Sequence, residues 1–117
     1  MRALLAFRIA YGAALLAVPD RVTRRWLGDT ARRPGGRVSL RALGARELAL
    51  HAGALRATLT GERVRPWLAA SLAGDLSDVA ATTAARQGLP DRSAPATALV
   101  AGGSALLTAL AARSVDR

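Results

Sequence analysis

Charge placed inside segments that otherwise want to be buried constrains this chain more than any other feature. Arg41-Ala-Leu-Gly-Ala-Arg-Glu47 sets two arginines and a glutamate among Ala and Leu. Gly74-Asp-Leu-Ser-Asp78 sets two carboxylates into another apolar stretch, and Arg8 interrupts a third run near the N-terminus. A charge taken out of water survives only when it is paired and hydrogen-bonded. Arg8, Arg41 and Arg46 are therefore expected to meet Glu47, Asp75 and Asp78 in the interior.

Composition narrows the setting. A chain of 117 residues has room for one domain. Hydrophobic residues make up 51% of it, yet aromatics are only 3%. A soluble core of this size normally uses more large side chains to offset the entropy of folding. Without Cys there is no disulfide, thiol redox chemistry or iron–sulfur ligation, and a single His excludes a multi-histidine metal site. A net charge of +9 points to nucleic acid or to an anionic membrane surface. Arg21, Arg24, Arg25, Arg32, Arg33 and Arg37 lie in one connection with no nucleic-acid-binding signature beside them, so they read as a headgroup anchor.

Four segments of bilayer-like length follow in order. The first, about 3–19, reads as a retained span and not a cleaved signal, because Arg8 breaks the apolar run and Val-Pro-Asp is a poor cleavage site. Arg8, Tyr11 and Gly12 share one face of it. Asp20 is the expected N-cap of a short interfacial helix over 21–27 closed by Gly28, with Val22 and Trp26 on its apolar side. Arg32-Arg-Pro-Gly-Gly-Arg37 reads as a loop. The second span, about 39–60 with Ser39 as N-cap, holds six leucines, worth about −3 kcal/mol in total on the insertion scale. Arg46 and Glu47 each oppose that by about 2.5–3.5 kcal/mol if unpaired, so this helix needs partners around it. Arg41, Gly44, Glu47, His51 and Thr58 fall on one broad face, Glu47 and His51 form an i,i+4 pair, and Arg46 points elsewhere. The third span, about 66–86, opens with Pro66 and Trp67 and carries the stripe Ser71, Asp75, Asp78, Thr82. Gly88 and Pro90 close it. The fourth, about 95–112, has no charge and repeats the spacing with Thr97, Ala101, Ser104 and Thr108, beside Gly102-Gly103. Eight arginines in connections 20–38 and 86–94 against five at the other side place both termini outside.

Arg41-x-x-Gly44-x-Arg46-Glu47, then Gly74-Asp75-x-x-Asp78, after an Arg8…Gly12…Pro19 opening, resembles a group of small bacterial four-helix membrane proteins without assigned function, loosely similar to the DoxX-like superfamily. The resemblance covers nearly the whole chain and implies a four-helix membrane fold. Some DoxX-like relatives accompany quinone-linked oxidoreductases.

The expected protein is all-α: a four-helix transmembrane bundle with a short interfacial helix after the first span. It is placed in the cytoplasmic (inner) membrane as a non-catalytic structural or accessory component. The lipid bilayer is its partner, with a second copy or another membrane protein docked through Gly, Ala, Ser and Thr faces. No cofactor, metal or nucleic acid is expected. The alternative is a membrane-embedded enzyme or transporter using Glu47, His51, Asp75 and Asp78. A soluble Arg-rich nucleic-acid-binding bundle comes third.

Overall fold

The computed structural model describes residues 1–27, 33–89, 91 and 93–115, without the side chains of Arg25 and Trp26. The described residues form helices and turns with no strand. The helices are α1 (Arg2–Ala17), α2 (Pro19–Leu27), α3 (Pro34–Thr60), α4 (Arg65–Ala84) and α5 (Ser93–Ser114), with a 3₁₀ turn over Arg86–Gly88. The four long helices and the short one after the first agree with the sequence pattern.

Several boundaries differ from it. Val18 alone separates α1 from α2, and α2 starts at Pro19, so Asp20 sits in its first turn and is not its cap. The expected stop at Gly28 and the Pro90 breaker lie outside the described residues. The stretch from Pro34 is helix and not loop. Arg33 is extended (φ −68°, ψ 145°) and Pro34 takes the first turn, where its missing N–H is no loss. Ser39 is consequently inside α3, its hydroxyl donating back to the Gly35 carbonyl at 2.9 Å. At the other end Gly61 adopts the left-handed conformation (φ 74°) that stops α3 and turns the chain into α4.

Packing divides the bundle into two helical pairs, α1 along α3 and α4 along α5, which meet chiefly where α3 touches α4. Glycines set the closest approaches. A Cβ on Gly12 would lie 2.8 Å from the Gly44 carbonyl oxygen, and one on Gly44 would lie 2.7 Å from the Gly12 oxygen. The α1 and α3 backbones therefore touch at this crossing. Further along α3, Gly53 makes the seat for the Trp67 ring of α4. Leu5, Ala54, Ala57, Val64 and Leu68 close one end of the bundle, and Leu15 with Leu40 closes the other. On α1 the buried line is Leu5, Arg8, Gly12, Leu15, so the arginine occupies the level between the two apolar plugs. Arg65, opening α4, donates to the carbonyls of Ala112 (3.4 Å) and Val115 (3.1 Å) and so caps the end of α5.

Among the described residues one helix, α5, is long and apolar enough to cross a membrane; 17% of its most apolar stretch is buried. The other three expected spans do not meet that measure. α1 has 16 residues against the ~20 a crossing takes, while α3 and α4 carry the charges already noted.

The glycine crossing yields a direct test. Gly12→Val or Gly44→Val must force two backbones apart, an overpacking cost of about 1–3 kcal/mol or more. Gly103, with open space around it, should accept Ala with no loss. Both valine variants should melt below Gly103→Ala, which should match the parent protein.

Candidate functional site

The site grows from one side chain. Arg8 leaves α1 at the mid-level of the bundle, 5% exposed, and its guanidinium lies between two carboxylates. Toward α3, Nε donates to Glu47 Oε2 and Nη2 to Glu47 Oε1, both at 2.9 Å. Toward α4, Nη1 donates to Asp75 Oδ2 at 2.7 Å and Nη2 to Asp75 Oδ1 at 2.5 Å. The remaining Nη1 hydrogen is shared between Ser71 Oγ at 3.1 Å and Thr108 Oγ1 at 3.4 Å. All five donors of the guanidinium are thus used, two as a fork on each carboxylate. Glu47, Asp75 and Ser71 are each 2% exposed.

His51 extends the network by one step. Its Nδ1 stands 2.6 Å from the Glu47 backbone carbonyl, which can only accept, so Nδ1 carries the proton. Nε2, 2.7 Å from Ser71 Oγ, then accepts from the hydroxyl, and that hydroxyl itself accepts from Arg8. Every polar group of the relay is satisfied with the imidazole neutral.

A second pair stands beside the first. Arg46 donates to Asp78 from Nη2 (2.6 Å to Oδ2) and Nη1 (3.2 Å to Oδ1), half-buried, and its Nη2 lies 3.7 Å from Glu47 Oε1. Gly74 explains the reach. A Cβ there would lie 3.1 Å from Arg46 Cζ, so the bare α4 surface lets the guanidinium cross to Asp78 one turn on. The residues of the two motifs now have physical roles: Gly44 and Gly74 admit close approach, Glu47 and Asp75 hold Arg8, and Arg46 and Asp78 hold each other.

Most of the expected interior is therefore present: Arg8, Arg46, Glu47, His51, Asp75 and Asp78 converge, and Tyr11 packs half-buried beside them. Arg41 does not. It is exposed, because the inward line of α3 runs through Leu40, Gly44, Glu47 and His51, leaving Arg41 about 100° round the helix from Leu40. Among the described residues it pairs with no carboxylate. Ser71, in the polar stripe of α4, and Thr108, in the small-residue stripe of α5, complete the Arg8 shell with their hydroxyls. Thr23 is fully buried by bonding its own helix at the Pro19 carbonyl (2.7 Å), which no pattern signalled.

Next to the network lies a cavity of about 250 Å³. Arg8, Glu47, Asp75 and Asp78 form its charged wall, and Phe7, Val22, Val100 and Ala101 are among its apolar ones. The fold and site together define an all-helical protein with a buried arginine–carboxylate network. No family model, curated protein or solved structure matches the chain.

Removing Arg8 leaves two buried carboxylates facing each other, whereas removing Asp75 leaves Arg8 still paired with Glu47. Arg8→Met should therefore destabilise by about 3–5 kcal/mol and Asp75→Asn by about 1–3 kcal/mol. The triple variant Arg8→Met, Glu47→Leu, Asp75→Leu should regain most of the loss, since a well-packed apolar core can replace a buried ion triad. Equilibrium denaturation reads all three; a triple variant no better than Arg8→Met would mean the network does more than hold the helices.

Proposed function

We propose that this chain is a small integral membrane protein of the cytoplasmic membrane, four-spanning and loosely DoxX-like, serving as a non-catalytic structural or accessory component. The observation that carries the membrane reading is a buried polar cluster set beside a broad exposed apolar face. Arg8, Glu47, His51, Ser71, Asp75, Thr97 and Thr108 are buried, while Phe7, Val38, Leu59, Leu76, Leu99, Val100, Leu106, Leu107 and Leu110 are exposed. In water that arrangement places large apolar groups where they gain nothing and charges where they are most expensive. In a bilayer both placements are favourable, since lipid replaces water outside and the helices supply each charge with its partner inside. The long axis of 44 Å matches a bilayer with its headgroup regions, ~40–45 Å.

The non-catalytic reading is supported by the saturation of the network. Both oxygens of Glu47 and of Asp75 are held by Arg8, and His51 is engaged at both nitrogens. A general base or nucleophile works best when it is not already neutralised, and the Arg8 forks hold both carboxylates as ion-pair partners. The exposed face of α5, with Gly103 and its flanking leucines, is where a second copy or another membrane protein would dock.

Two measurements test the membrane reading. The protein should stay in the pellet on carbonate extraction and should need detergent for solubility. Leu106→Asp, near the middle of α5, should cut membrane insertion, because a central Asp opposes it by about 2.5–3.5 kcal/mol. An exposed leucine on a water-soluble bundle would tolerate the same change with no loss, so a normal yield of soluble Leu106→Asp protein would overturn the assignment.

A further inference from the structure

We propose that the cavity beside the network binds a monovalent organic cation with a compact apolar body. The charge balance selects the sign. Arg8 and Arg46 face Glu47, Asp75 and Asp78, and with His51 in the neutral form that donates from Nδ1 to the Glu47 carbonyl and accepts at Nε2 from Ser71, the cluster holds one negative charge in excess. The imbalance falls at the cavity: three carboxylates line it and one arginine does, Arg46 standing behind Asp78. An uncompensated charge away from water is unfavourable, and an occupant carrying one positive charge removes the imbalance.

The walls select the rest of the ligand. Most of the lining is apolar, and it includes Phe7 and Tyr11 of α1, one helical turn apart. The chain has only four aromatic residues, so two of them at one cavity give the cation π-faces in a protein that has few elsewhere. Among the described residues no group of three acidic, His or Cys side chains is arranged to hold a metal ion, which points away from an inorganic divalent cation. A cavity of about 150 Å³ accepts a benzene ring; 250 Å³ has room for a ring plus a small ammonium head. Phe7, Val22 and Val100, all exposed, stand at its rim, so the way in is from the apolar surroundings between α1, α2 and α5. Only this route of entry rests on the membrane reading; the charge and size of the ligand do not.

The test uses benzyltrimethylammonium, its neutral carbon isostere neopentylbenzene, and benzenesulfonate, titrated into the full chain in an uncharged detergent. The cation should raise the melting temperature and bind at least about ten-fold more tightly than the neutral isostere, and the anion should not bind. Asp78→Asn balances the cluster at two arginines and two carboxylates. Asp78 is half-buried and off the Arg8 fork, so this variant should fold and should lose the preference for the cation. Ala101→Phe should fill the cavity and abolish binding, leaving only partition into micelles. Equal or tighter binding of the neutral isostere, an unchanged preference in Asp78→Asn, or unchanged binding in Ala101→Phe would each overturn the proposal. Failure of the membrane reading shows instead as a protein soluble without detergent, in which the same titrations still read the site.

Discussion

A single guanidinium held between two carboxylates is the interaction on which the rest of this structure depends. Arg8 uses all of its donors, and its partners come from α3, α4 and α5. The planar fork matters as much as the charge. A lysine at this position would present its three donors from a single nitrogen, whereas the arginine forks Glu47 on one side and Asp75 on another. The glycine contact at Gly12 and Gly44 is the steric condition for this, because it brings α1 close enough to α3 for the Glu47 fork to form one turn away.

Much of this was legible in the sequence, for a reason rooted in energetics. Charges within apolar segments are so unfavourable alone that their presence already implies mutual pairing, and five of the six named charged residues do pair. The helices were legible from apolar runs bounded by proline and glycine. Arg41 was misplaced because a helical projection sorts residues by angle and ignores which sector a neighbouring helix covers. Arg46 lies on the sector facing α4 and finds Asp78, while Arg41 lies on the opposite sector and stays outside. The start of α3 was hidden because Pro-Gly-Gly is both a turn signal and an acceptable first helical turn, and local sequence does not choose between them.

The cavity could not be read from sequence at all. Its lining comes from all five helices, with Arg8, Glu47, Asp75 and Asp78 on the charged side. Its apolar walls come from residues at ordinary helical spacing, indistinguishable in one dimension from core positions. Only the pairing of Phe7 with Tyr11 in an aromatic-poor chain marks the place, and that signal gains meaning once the carboxylates are seen beside it.

The division into helical pairs has a consequence for how the chain comes together. The α1–α3 half brings Arg8, Arg46 and Glu47, one positive charge in excess, and the α4–α5 half brings Asp75 and Asp78, both negative. Each half is electrically incomplete, and each holds what the other lacks. Close packing is concentrated within the halves, yet neither reaches a satisfied interior until the other arrives. In the half synthesised first, Arg8 can already meet Glu47, while Arg46 has its Asp78 partner only once α4 has been made.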